Sequence, residues 1–118
     1  SPGVFVATPE YMCPEQVQGR GATPLFDIYA LGVMLFEALV GEPPFAGTNG
    51  SFILKSKVSR AAPALGQKVP GLPHRLCQLV DDCLHMDPAL RPQSAREFLV
   101  RIDEVLRTLQ RLSGPTPI

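Results

Sequence analysis

Few side chains in this sequence could bind a metal or carry redox chemistry: three cysteines, Cys13, Cys77 and Cys83, and two histidines, His74 and His85. Their spacing fits neither a C-x-x-C pair nor a zinc pattern. Three thiols cannot all pair with one another. Cys77 and Cys83, six positions apart, fall roughly 600° round a helix and face different ways. The expectation is plain reduced thiols, which implies a reducing compartment and a cytoplasmic location. One carboxylate stands apart. Glu37 is the sole charge in the run from Ile28 to Val40, and a carboxylate in apolar surroundings needs a partner. Asn49-Gly50-Ser51 matches the glycosylation acceptor pattern, but without a signal peptide it reads as a turn.

The elements that must position these groups are bounded by composition. The 118 residues carry 11 Lys and Arg against 11 Asp and Glu, a formal net charge of zero, with 19% charged and 45% hydrophobic residues. Such a neutral chain offers no field for a polyanion, so neither nucleic acid nor an anionic membrane surface is an expected partner. Its 13 prolines and 10 glycines cluster between apolar segments, as punctuation rather than as the signature of collagen or a disordered tail. No apolar run reaches the ~18 residues of a membrane span, so no membrane contact is expected from this segment.

Residues 1–26 are rich in Pro, Gly and Thr and read as an ordered loop with one helical turn after Pro14. A helix is expected next, with Asp27 as its N-cap and Gly41 just past its C-terminus. Apart from Glu37 it is apolar nearly all round, the pattern of a helix at the centre of a protein. A chain of this size buries only about two-thirds of its unfolded surface, so part of the wrapping is expected from elsewhere. Shorter helices are expected over about 51–59 and near 73–86, joined by a Pro/Gly-rich connection from Gly66 to Pro73. In the second of these Leu76, Leu79, Val80, Cys83 and Leu84 share one face. The last helix opens on the capping box Ser94-Ala95-Arg96-Glu97. It continues through Phe98, Ile102, Val105, Leu109 and Leu112 to stop before Gly114. No segment alternates as a strand does, so the expected fold class is all-α.

The wording of the punctuation carries more than its spacing. Val6-Ala7-Thr8-Pro9-Glu10-Tyr11-Met12-Cys13-Pro14-Glu15-Gln16 resembles the G-T-P-x-Y-M-A-P-E-Q stretch of serine/threonine protein kinases. Asp27-Ile28-Tyr29-Ala30-Leu31-Gly32 resembles the helix start that follows it, and Gly41-Glu42-Pro43-Pro44-Phe45 the family's G-x-P-P-F. Asp87-Pro88 with Arg91-Pro92 resembles its D-P-x-x-R-P. The four stretches stand in family order over almost the whole chain, and their wording is closest to the bacterial branch of eukaryotic-like kinases.

The resemblance implies that residues 1–112 are the second half of a kinase C-terminal lobe, the activation-segment end plus four main helices. The parent domain would be α+β, and 113–118 would begin a linker, with membrane anchoring open beyond it. In this family the Gly-rich loop, the strand lysine, the H-R-D loop and the D-F-G aspartate all lie upstream of the matched region. ATP and Mg2+ would therefore serve the parent enzyme, with none bound by this piece alone, which would be inactive without the missing N-lobe and catalytic loop. Protein or peptide substrates would be its partners. No catalytic residue is expected here. Thr8 would support the catalytic aspartate and favour serine or threonine acceptors. Pro9 and Met12 would line the pocket for the substrate residue after the phosphorylated one.

The structural positions implied by the resemblance are Tyr11, Glu15, Asp27, Glu37 and Arg91. Glu15 and Arg91 would clamp the activation segment to the loop before the last helix. Tyr11 would partner Glu37, and Asp27 would hold the catalytic loop through its backbone amides. Ala7 stands where the family has Gly, and Cys13 where it has Ala. The alternative function is a pseudokinase-like platform that binds without transferring phosphate.

Overall fold

The computed structural model describes residues 8–113, with side chains through Leu112. Within them the chain forms α1 (Pro14–Val17), α2 (Pro24–Val40), α3 (Gly50–Ser59), α4 (Leu65–Lys68), α5 (His74–Cys83) and α6 (Ala95–Ser113), with single 3-10 turns at Pro9–Tyr11 and Pro88–Leu90. No strand occurs among the described residues. Ala7 and Ser1 lie outside them, as does most of the expected linker.

α2 begins earlier than its apolar run. Thr23 is the N-cap: its Oγ accepts from the Leu25 amide at 3.2 Å, and Pro24 occupies the first helical position. This corrects the expectation that Asp27 caps the helix. Proline at the first position removes an amide that would lack a partner, and its fixed φ favours entry three residues upstream. Asp27 sits instead in the first turn, exposed, where its charge complements the helix dipole. The far end follows expectation. Gly41 is left-handed at φ 99°, and its amide donates to the Glu37 carbonyl at 2.8 Å.

α2 buries Ile28, Tyr29, Gly32, Val33 and Phe36 on one side. α5 packs against both α2 and α6. α2 and α5 approach tightly at Gly32, where a built Cβ would fall 2.7 Å from the Cβ of Cys83. Leu76, Leu79, Val80 and Cys83 make the buried face of α5. The opposite side of α2 is open: Met34 is 56% exposed, and Ala38 is also exposed. The described residues leave that side of the central helix uncovered.

Three further differences from expectation have local causes. Asn49-Gly50-Ser51 is a helix start, not a turn, because Asn49 Oδ1 accepts from the Phe52 amide at 3.2 Å. The Gly66–Pro73 connection contains a turn of helix, α4. Buried Leu65 anchors it, and its amide donates to Asp81 on α5 at 3.0 Å. α6 buries Phe98 and Val105, yet Leu112 is 73% exposed. Its 19 residues extend about 28 Å, against about 15 Å for the 10 of α5, so the last turns overhang the body. At the start of α6, Ser94 Oγ accepts from the Glu97 amide at 3.1 Å. The Glu97 carboxylate reaches the Gln93 amide at 2.7 Å, one residue before the reciprocal box position.

Candidate functional site

The segment from Thr8 to Gln16 consists of a single 3-10 turn and the start of the one-turn α1, too short to hold a shape unaided, so its shape depends on what holds it. Two turns fold it. The Tyr11 amide donates to the Thr8 carbonyl at 3.0 Å, and Pro14 starts α1 behind buried Cys13. Thr8 is exposed, while Pro9 and Met12 are half-buried and border open solvent.

One hold is the Tyr11 hydroxyl, which donates to the carboxylate of Glu37 on α2. This is the partner the lone acid of the apolar helix requires. The hydrogen bond to that carboxylate raises the Tyr11 phenol above its ordinary value, with desolvation adding to it.

A second hold joins Glu15 to Arg91. Two guanidinium nitrogens donate to the two carboxylate oxygens at 2.5 and 2.7 Å, with the arginine side chain wholly buried. Arg91 also donates to the carbonyls of His85 at 2.8 Å and Leu25 at 3.2 Å, so one guanidinium ties together the loop, α2 and the end of α5. Its own loop is fixed locally. Asp87 caps the Pro88–Leu90 turn through the Ala89 amide at 3.0 Å, and the Gln93 amide group donates to the Pro88 and Arg91 carbonyls at 3.0 and 2.7 Å. Burial pushes the Glu15 carboxyl upward, but the hydrogen bonds and charge of Arg91 outweigh it, leaving the carboxyl below its ordinary value.

A third hold was not visible in the motifs. Lys57 on α3 is fully buried, and its ammonium donates to the carbonyls of Glu10 at 2.6 Å and Met12 at 2.5 Å. Its Nζ lies 5.1 Å from the centre of the Tyr29 ring, and the Arg91 guanidinium lies 5.0 Å from the same centre. Two buried cations thus share one aromatic ring. The Tyr29 hydroxyl itself has no hydrogen-bond partner among the described residues, and burial pushes its phenol far up. A signal for Lys57 existed in the sequence: it stands four positions after buried Ile53, on the inward face of α3.

Cys13 is fully buried, and burial pushes its thiol up to about 11, so it is a packed side chain rather than a nucleophile. Asp27, the remaining singled-out residue, is exposed in the first turn of α2.

The structure therefore gathers Tyr11, Glu15, Glu37 and Arg91 around one loop, on which Thr8 is exposed and Pro9 and Met12 are half-buried. The protein kinase domain family matches residues 2–102. Among curated relatives, the serine/threonine-protein kinase PkaB of Streptomyces coelicolor is 36% identical over 114 residues, covering 97% of this chain and 25% of its own length. The serine/threonine-protein kinase PknA of Mycobacterium tuberculosis is 34% identical over 96 residues, 81% of this chain and 22% of that protein. The DNA damage-responsive serine/threonine-protein kinase RqkA of Deinococcus radiodurans is 35% identical over 92 residues, 78% and 14% respectively. The chain spans a quarter or less of the length of these relatives. With the motif order, the helical architecture and these matches agreeing, the chain belongs to the protein kinase family.

Proposed function

We propose that the protein containing this chain transfers the γ-phosphoryl group of Mg·ATP to serine or threonine hydroxyls of proteins, and that residues 8–16 form the peptide side of that reaction. The observation that carries the reading is a loop held from behind and open in front. Tyr11 and Glu15 are fastened to α2 and to the loop before α6, while Thr8 is exposed and Pro9 and Met12 keep part of their surface in solvent. Phosphoryl transfer depends on positioning more than on covalent chemistry by the protein. A rigid backing for the acceptor peptide is therefore a functional contribution in itself.

In this reading Thr8 directs its hydroxyl toward the catalytic aspartate, and the half-buried Pro9 and Met12 present apolar surface to the next residue of the peptide. Asp27, exposed at the start of α2, is free to accept amide hydrogen bonds from a catalytic loop. Among the described residues no three His, Cys, Asp or Glu side chains converge to hold a metal ion. By its likeness to the family, metal and nucleotide would be held by the loops upstream of the matched region. The open Met34 and Ala38 side of α2 is where the rest of the lobe would pack, and the isolated piece would not transfer phosphate.

The test is to supply the full-length protein with γ-labelled ATP, magnesium and an arrayed peptide library. Transfer to serine and threonine peptides, weakened by Thr8→Val, is the expected result. Transfer to tyrosine peptides alone would overturn the assignment of Thr8. Peptide binding without any transfer would favour the non-catalytic platform.

A further inference from the structure

The geometry points to Lys57 as a positioning residue that sets the shape of the peptide-facing loop from behind, and through it the preference for the peptide residue after the phosphoacceptor. This rests on the reading of residues 8–16 as the peptide side. Lys57 is the one described side chain whose charged group donates to two backbone carbonyls of that loop, those of Glu10 and Met12, which flank the Tyr11 tether. Carbonyls held at positions 10 and 12 restrain the backbone on both sides of Tyr11, and with it the direction in which the Met12 side chain leaves the main chain. A buried ammonium is costly unless it is well partnered. Its partners here are the two carbonyls and the Tyr29 ring, with the Phe45 ring 6.0 Å away. Burial lowers the Lys57 ammonium to about 8, which fits a group held in place for its contacts rather than one left in solvent.

The arrangement also joins two parts of the molecule that the Glu15–Arg91 pair does not connect. α3 reaches the loop through the Lys57 hydrogen bonds and α2 through the Lys57–Tyr29 ring contact, and the loop reaches α2 through Tyr11. Methionine at position 57 would keep the length of the stem and remove every donor, so the loop would lose its hold from α3 while Tyr11 and Glu15 kept theirs.

The experiment compares the full-length protein with its Lys57→Met and Lys57→Gln variants, using the best serine or threonine peptide from an arrayed library. Lys57→Met is expected to raise the peptide KM about tenfold and broaden the preference at the residue after the phosphoacceptor, with the KM for ATP little changed. Lys57→Gln, which restores one donating group, should recover part of the loss. A folded Lys57→Met protein with unchanged peptide KM and preference overturns the proposal. So does a variant that loses ATP and peptide affinity together with thermal stability, because that is a purely structural role. Met12→Ala separates the two levels. If it moves the peptide KM and Lys57→Met does not, only the role of Lys57 fails; if neither moves it, the reading of the loop fails as well. Should Lys57→Met not fold, nitrogen-labelled wild type decides instead. Its buried ammonium gives a slowly exchanging NMR signal that must shift when the peptide saturates, and a signal that stays put overturns the proposal.

Discussion

Glu15 and Arg91 stand 76 positions apart and meet as a two-point ion pair with the guanidinium fully enclosed. Chain connectivity does nothing to bring them together; the packing of α2, α5 and the loop before α6 does. Removing one partner strands the other in a place water does not reach. Arg91→Ala in the full-length protein should cost about 3–5 kcal/mol of stability, read by denaturant unfolding. Arg91→Lys should recover little, because an ammonium cannot make the paired fork or stack on Tyr29 in the same way. A variant within about 1 kcal/mol of wild type would mean that the pair behaves like a surface contact.

The same pair sets an acid response. The Glu15 carboxyl is lowered in the folded protein, so the pair's stabilisation is fully present above the unfolded carboxyl value of 4.5. As pH falls through the lower folded value, the unfolded state has already taken up its proton and the advantage is lost. The stability gap between wild type and Glu15→Gln should therefore be constant near neutrality and shrink below about pH 4.5. A gap that stays constant into acid would show that the carboxylate charge contributes nothing.

A third prediction concerns the crossing of α2 and α5. Gly32→Ala places a methyl carbon 2.7 Å from Cys83 Cβ and 3.2 Å from two side-chain atoms of Leu84. Overpacking of this kind costs about 1–3 kcal/mol. Cys83→Ala should not rescue it, because the conflict is with Cβ and not with sulfur, whereas Cys83→Gly should relieve part of it. Equal stability of Gly32→Ala and wild type in thermal unfolding would show that the helices separate freely.

How much of this was legible in the sequence depends on whether the cause was local. The apolar spacing of Leu76, Leu79, Val80 and Cys83 gave the buried face of α5, and Gly41 gave the end of α2, because both follow from helical periodicity and left-handed backbone geometry. Asp27 was misread as a cap because the apolar run starts beside it, while Thr23-Pro24 carried the stronger start signal upstream. Leu109 and Leu112 continue the periodic stripe of α6 but are 42% and 73% exposed among the described residues, since periodicity does not report the length of the neighbouring helix. At the site, the motif resemblance led to Glu15, Arg91, Tyr11 and Glu37. Lys57 escaped it: lysine is the residue least expected in a core, and its carbonyl partners lie 45 and 47 positions away.

That buried lysine gives an alkaline signature of the same sign as the acid one: in each window stability rises with pH. Its folded-state value is about 8, against an ordinary 10.5. Below about pH 8 both states hold the proton, and the folded state bears the full cost of enclosing the charge. Between about 8 and 10.5 the unfolded state binds more protons, so this group makes stability rise with pH. The groups facing it are Glu10 and Cys13 from the loop, the Tyr29 ring of α2, Arg91 against that ring and Arg60 beside Phe45. Cys13 acts the other way, since its thiol is raised from 9.0 to about 11 and favours the folded state less as pH climbs beyond 9.0. Subtracting Lys57→Met from wild type removes the thiol contribution shared by both. The difference in unfolding free energy should lie flat up to about pH 8 and then climb in favour of wild type by about 1.4 kcal/mol per pH unit at most. A neutral amine still has two N–H groups for the Glu10 and Met12 carbonyls, so wild type should keep its loop geometry through this climb while Lys57→Met lacks it at every pH. A difference that stays level from pH 7 to 10 would mean that the ammonium reaches solvent and that α3 does not hold the loop through it.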